Sequence, residues 1–275
     1  VSTTFFTASP EQSLRARTKA LWESGDFGIV APYLEPTAAA FAARLPQRHG
    51  RRLLDVACGT GNLARAAARA GWMSTGVDLA ANLIQQARLK SARENLAIGF
   101  LEADAELLPF PAASFDCVAS CFGIMFAPRP ESALLELLRV CRSGGCLALA
   151  HWTPMGLVGE YLGALFKHSP ATANRRLSTD WGDAAHLQIH LGPDLQEIHS
   201  ETRTARIHFP FPPHLVVDFF GQFHGPTLRT LVALDIEARE ALRHELESLL
   251  RRHNQATDGT TLVEAEYLDF QATRR

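Results

Sequence analysis

The stretch "LLDVACGTGNLARAAARAG", residues 53–71, constrains this chain more than any other segment. It opens as an apolar strand, turns on Gly59 and Gly61, and continues as an alanine-rich helix that stops at Gly71. A strand passing through a glycine turn into a helix gathers backbone N–H groups and a helix N-terminus around one point. Nucleotide-like ligands bind such turns; the alternative is a turn that needs glycine only for its backbone angles. Gly59 to Ala64 satisfies G-x-G-x-x-G/A, which alone does not separate a dinucleotide from another nucleoside ligand.

From Arg52 onward strand and helix patterns alternate, as in a parallel sheet covered on both faces. The pattern predicts strands at 52–57, 73–77, 96–101, 114–121 and 145–151. Helices are expected between them at 62–70, 80–93 and 130–141, the last running into a tight turn at Ser143-Gly144-Gly145. Upstream, Ser9-Pro10-Glu11-Gln12 opens a helix that runs to about Glu23, with Ser9 as cap, and another follows Pro36. Past Trp152 come a helix at about 156–168, a polar loop, a short helix near 184–191 and a strand-like run at 195–211. Residues 212–254 read as helical, with breaks at Gly225-Pro226 and near Asp235, and 260–272 alternates like a final strand. No internal repeat or low-complexity linker divides the chain, so one domain over 1–275 is expected.

Composition removes several functions. With 47% hydrophobic and 20% charged residues, a net charge of −2 and no lysine/arginine tract, the chain makes no electrostatic case for binding nucleic acid. Its most apolar run, Cys117 to Pro128, is broken by Ser120 and Gly123 and is too short to span a bilayer. The opening "VSTTFFTASPEQ" lacks a basic region followed by an apolar block, so no signal peptide is expected. The five cysteines, at 58, 117, 121, 141 and 146, form no C-x-x-C pair. A zinc site or disulfide framework is therefore not expected, and a cytoplasmic setting is.

Three acidic residues sharpen the reading of the glycine turn. Asp55 lies inside the first strand, where a carboxylate would repel pyrophosphate but could help organise a cationic ammonium group, directly or through water. Asp78 ends the second strand, where it can accept hydrogen bonds from both hydroxyls of a ribose, or else cap the helix beginning near Ala80. "EADAELLPF" follows the third strand, placing Asp104 to meet an adenine amino group and the Ala105 amide to face a ring nitrogen. Alone, that last stretch would read as an acidic surface loop.

"LLDVACGTGNLA", "GVDLAANLIQQAR", "EADAELLPFPAASFDCV" and "LLELLRVCRSGGCLALAHW" together resemble the successive motifs of the class I S-adenosylmethionine-dependent methyltransferases. The resemblance covers about residues 21–153 and is strongest toward the ubiquinone/menaquinone-biosynthesis C-methyltransferase-like group. It implies an α/β, Rossmann-like, seven-stranded mixed sheet whose last strand is antiparallel; the residue pattern adds helices on both faces and a helical insertion, expected to act as a lid. The resemblance also implies S-adenosyl-L-methionine as cofactor, with Ala57, Gly59 and Gly61 beside the methionine part, Asp78 on the ribose and Leu79 beside the adenine. Asp104 and Ala105 would read the adenine, Cys121 and Phe122 would line the pocket, and Phe27 stands where the family often carries a tyrosine over the cofactor. Ala57 replaces a motif glycine, and "RSGG" stands for the usual "RPGG". Mapped on the chain, 1–50 would cover the cofactor, 51–153 would bind it, 154–208 would connect, 209–256 would form the lid and 257–275 the final strand.

Methyl transfer from a sulfonium asks the protein mainly to align the reactants and exclude water, with a base needed only for a neutral acceptor. His151 ends the fifth strand, at the sheet edge where open α/β folds bind ligands, and is the candidate base, with Trp152 beside it. The alternative is a histidine that bonds a loop carbonyl. His186 and His190 have the i, i+4 spacing of a metal pair but no third ligand, so no metal is expected. His214 and His224 flank "LVVDFFGQFHG", whose Phe219, Phe220 and Phe223 are either core residues of the insertion or an acceptor pocket. The sequence therefore predicts a cytoplasmic methyltransferase, monomer or homodimer, acting on a small, partly apolar acceptor: phenolic, quinone-like or polyketide-like. Its rivals are a non-catalytic S-adenosylmethionine binder or complex subunit and, less favoured, a nicotinamide-dependent oxidoreductase.

Overall fold

The computed structural model describes residues 10–46, 50–168 and 178–275. The cap expected at Ser9, the opening residues read for a signal peptide, and the first part of the polar loop after His168 lie outside them. Seven strands form one sheet in the order β3-β2-β1-β4-β5-β7-β6. They are β1 (Arg52–Val56), β2 (Met73–Asp78), β3 (Gly99–Glu102), β4 (Phe115–Cys121), β5 (Cys141–Trp152), β6 (Leu195–Phe209) and β7 (Thr261–Arg274). Strands β1 to β5 pair in parallel, while β7 runs antiparallel to both β5 and β6.

Before β1 come α1 (Pro10–Glu23), α2 (Phe27–Val30) and α3 (Glu35–Arg44). Within the parallel half lie α4 (Asn62–Arg69), α5 (Ala81–Arg93) and α6 (Pro130–Val140). Beyond β5 follow α7 (Leu157–His168), α8 (Ala184–Leu191), α9 (Pro213–Phe223), α10 (Gly225–Ala233) and α11 (Ile236–His253). None of the helices among the described residues is long and apolar enough to cross a membrane.

Neighbouring residues on a strand point to opposite faces, so the complete burial of both Leu53 and Leu54 shows that β1 is covered on both sides. The same holds for Leu147 through Ala150 in β5. This is why the central strands read as unbroken apolar runs. Strand β6, at the sheet edge, instead alternates: Ala205, Ile207 and Phe209 are buried and Arg206 and His208 exposed.

Two boundaries depart from the sequence reading. Strand β3 starts at Gly99 rather than 96, because Asn95 adopts φ +55° and the Leu96 N–H bonds the Ser91 carbonyl, prolonging the end of α5. The turn expected at Ser143-Gly144-Gly145 is instead a bulge inside β5, whose register against β4 shifts between Phe115 and Cys117. Arg142, on that bulge, bonds Asp116 of β4 at 2.6 Å.

Gly61 sits at φ +78° at the head of α4, where a Cβ would lie 2.8 Å from the Phe100 ring. Both the left-handed backbone and the overlap oppose a side chain there. Gly61→Ala should therefore lower the stability by about 1–3 kcal/mol, read as an earlier urea midpoint. An unchanged midpoint would remove this packing role.

Candidate active site

Between β1 and β4 the chain connections diverge, toward β2 and β3 on one side and β5 on the other. At such a switch point the loops leaving the carboxyl ends of the strands separate and open a crevice. The described structure has a cavity there, lined by the loops after β1, β2, β3 and β4 and roofed by α1, α2, α7 and α9. Two of its non-glycine wall residues, Ala57 and Phe122, have positive φ, +55° and +59°. Strained backbone of this kind persists where the surroundings hold it, and it gathers at functional sites.

The polar end belongs to β2 and β3. Asp78 lines the cavity while its carboxylate accepts the Gly59 N–H at 2.8 Å and the Ala80 N–H at 2.9 Å. Burial raises its pKa, and these N–H groups partly oppose that rise. Bracing Ala80 and facing a ligand are therefore compatible duties for this carboxylate. Leu79, Asp104 and Ala105 also line the cavity. Asp104 accepts the Glu106 N–H at 2.9 Å and pairs with Arg15 of α1 at 3.2 Å. Helix α1 is further held by Lys19 to Glu102 and by Glu23, which accepts the Ala81 N–H at 3.1 Å. Its Thr18 and Trp22 reach the cavity.

The aromatic end lies toward β4 and β5. Trp152 stacks on Phe122 with ring centroids 3.8 Å apart and planes 5° apart, and Tyr267 meets both edge-on. Trp22 packs edge-on against Phe27 and Phe126. Phe220, Tyr161 and His224 complete this wall. β3 and β5 lie four strand spacings apart, roughly 19 Å, so the two ends are distinct.

Several expected site residues lie elsewhere. Asp55 is 1% exposed and absent from the cavity wall; it accepts the Ala64 N–H at 2.9 Å. Gly61, the residue before α4, has no side chain to cap that helix, so Asp55 supplies the acceptor from the strand below. Burial pushes its carboxyl up to about 8, so at neutral pH it is mostly protonated and is poorly suited to hold an ammonium group. Gly61 and Cys121 also lie off the wall; Gly61 faces Phe100, and burial raises the Cys121 thiol. Of the three insertion phenylalanines, Phe220 lines the cavity, whereas Phe219 packs on Tyr33, Phe209 and Phe211 and Phe223 packs on Phe219.

The expectation for His151 is corrected. Trp152 faces the cavity, so its strand neighbour His151 faces the other side of the sheet. Its Nδ1 is 2.9 Å from the Trp181 carbonyl, its Nε2 is sealed without a partner, and burial lowers its pKa to about 4. His186 and His190 pack against the Trp181 ring, at 4.6 and 5.1 Å. His214 is exposed. Among the described residues the cavity histidine is His224, in extended backbone between α9 and α10; its signal in sequence is its place beside the Gly225-Pro226 break, four residues after Phe220 and three before Thr227.

The profile of a family described as a methyltransferase domain matches residues 54–149. The chain belongs to the class I S-adenosylmethionine-dependent methyltransferases. An uncharacterized protein of Mycobacterium tuberculosis is 32% identical over 276 residues, 98% of this chain and 99% of that protein. The demethylmenaquinone methyltransferase of Renibacterium salmoninarum is 36% identical over 134 residues, 47% of this chain and 54% of that enzyme. A Haemonchus contortus phosphoethanolamine N-methyltransferase, solved with S-adenosylhomocysteine, shares the fold at a TM-score of 0.54 and 20% identity, over 87% of this chain and 52% of that one.

The methyltransferase cofactor fits the residues present. A Cβ built on Gly59 would meet nothing within 4 Å, so the turn leaves open space for a ligand against its backbone. A carboxylate has about four acceptor positions, and Gly59 and Ala80 occupy only part of those on Asp78.

The buried Asp55 makes a pH prediction. Its folded-state pKa of about 8 lies above the ordinary 3.8, so between those values the folded chain keeps a proton that the unfolded chain gives up. This group's contribution is therefore full below pH 3.8 and is lost as pH rises through 8. Asp55→Asn keeps an acceptor for Ala64 and needs no proton. Urea unfolding should show the variant gaining on the natural protein between pH 5 and pH 8; parallel profiles would refute the shift.

Proposed function

We propose that the cavity holds S-adenosylmethionine at its β2–β3 end and a small, partly apolar acceptor at its aromatic end. Asp78 accepts from the ribose hydroxyls, Leu79 packs on the adenine, and Asp104 with the Ala105 N–H reads its edge. Ala57 and Gly59 pass close to the methionine part, and Phe27 and Phe122 wall the cofactor. When bound, the cofactor supplies a methyl group on a positively charged sulfur.

The protein's own contribution is alignment and exclusion of water. Helix α1, fastened through Arg15, Lys19 and Glu23, closes the cofactor side. Helices α9 to α11 act as a lid over the acceptor, with Phe220 on its inner surface beside Tyr161 of α7. Among the described residues, Asp78, Asp104 and His224 are the only charged or basic side chains on the wall, and neither lysine nor arginine is present. A neutral acceptor of phenolic, quinone-like or polyketide-like character suits that lining. The likeness to quinone-modifying enzymes lends weight to the same class, although substrates change freely on this fold. The observation that carries the reading is the pairing of a carboxylate-and-glycine end with an aromatic end in one cavity.

Asp78→Asn should weaken binding of S-adenosylhomocysteine by about 1.5–3 kcal/mol, roughly 10- to 150-fold, in a variant whose circular dichroism is unchanged. Titration calorimetry that finds equal affinity in the folded variant would overturn the ribose assignment.

A further inference from the structure

His224 stands at the end of α9 with its ring in the cavity wall. Trp22, Phe27 and Phe220 surround it, at ring distances of 6.3, 6.2 and 5.6 Å. Its Nδ1 is 2.8 Å from the Thr227 hydroxyl, which lies 3.1 Å from the Tyr161 hydroxyl. Thr227 is fully buried, so these three groups form a short polar chain inside an apolar wall. Fixing Nδ1 in this way leaves Nε2 as the free edge of the imidazole.

Resting on the proposed methyl transfer, we propose that His224 is the catalytic base, and that the acceptor is an apolar molecule carrying an acidic hydroxyl, a phenol or an enol. An oxygen lone pair forms the new O–CH3 bond while the S–CH3 bond breaks and its electron pair stays on sulfur. The hydroxyl proton moves to His224 Nε2. Nδ1–H then donates to Thr227 Oγ1, and the Thr227 hydroxyl donates to Tyr161, which holds the imidazolium in place.

Three features select this acceptor chemistry. No lysine or arginine lines the described cavity, so the protein itself supplies no cation to draw in and hold an anionic acceptor. A cationic amine would be repelled by the sulfonium. A neutral hydroxyl enters at low cost, and it sheds a proton that needs a recipient. The two wall carboxylates are committed to the other end: Asp78 to Gly59 and Ala80, Asp104 to Glu106 and Arg15.

Burial lowers the His224 pKa to about 4, which keeps Nε2 unprotonated and ready. Charge conservation offsets the weakness of such a base. The positive charge on sulfur disappears as the one on imidazole appears, so the cavity holds one cation before and after the step. The remaining titratable groups on the wall are Asp78, Asp104, Tyr33 and Tyr161. Around it, Lys19, Glu23 and Glu160 are ion-paired, Asp26 accepts from Gly28 and Gln86, and Arg229 bonds the Ala20 carbonyl.

Binding and rate together test this. With S-adenosylhomocysteine bound, calorimetry should show 2-naphthol binding at least tenfold more tightly than naphthalene, and His224→Phe should abolish that difference while retaining naphthalene and cofactor binding. In a panel of phenols followed by S-adenosylhomocysteine release, His224→Asn should lower kcat by about 10²–10⁴-fold at neutral pH. Its rate should then climb with pH as the phenol ionises on its own, while the natural protein stays flat from pH 6 to 9. Equal binding of naphthol and naphthalene, or a variant slowed by one factor at every pH, would overturn the assignment. Loss of S-adenosylhomocysteine binding by the natural protein would instead remove the cofactor reading on which it rests.

Discussion

The site depends on one carboxylate that ties two strand ends together. Asp78, at the end of β2, receives the N–H of Gly59 from the loop after β1 and the N–H of Ala80 ahead of α5. Without that tie, the glycine loop would have to satisfy the Gly59 N–H in some other way, and its open face would not be held toward the cavity. A hydrogen bond to a charged acceptor is stronger than one between neutral groups, so a single side chain can fix a loop and still present lone pairs to a ligand. Asp55 supports the first turn of α4, which follows that loop, from below through Ala64. Two acids one strand apart thus have different tasks, because one faces a cavity and the other is sealed beneath a helix.

Around this anchor the cavity is sparing with polar groups. The sheet commits its β2 and β3 ends to carboxylates and backbone N–H groups, while β4, β5 and the roofing helices contribute rings. Trp152 stacked on Phe122, and Trp22 wedged between Phe27 and Phe126, make a wall with few adjustable parts. Inside such a wall each polar group acts with little screening. The chain His224–Thr227–Tyr161 therefore stands out chemically: three hydrogen-bonding side chains from α7 and the α9–α10 junction meet where everything else is apolar.

Much of the polar end of the cavity was legible in the sequence. Strand–turn–helix order, the glycine loop and the acids at 55, 78 and 104 are local features, and the parallel core reproduces their spacing. Burial and direction were less legible. Asp55 and Asp78 look alike in sequence, each an acid in or ending an apolar strand, yet only Asp78 reaches the cavity. His151 and Trp152 are neighbours in the chain and fall on opposite faces because strand side chains alternate. The glycine pattern alone points Gly61 at a ligand, whereas Phe100, thirty-nine positions later, packs where its side chain would be.

By itself the sequence determined the element order, the glycine turn and the family, since each is written in contiguous residues whose geometry follows from backbone rules. Only the tertiary structure decided which side chains share the cavity. Phe27, Phe122, Tyr161 and His224 come from four separate segments, brought together by the crossing of helices over the sheet. Helix and strand periods act over a few residues, whereas the direction of a side chain across such a gap is set by how whole elements pack.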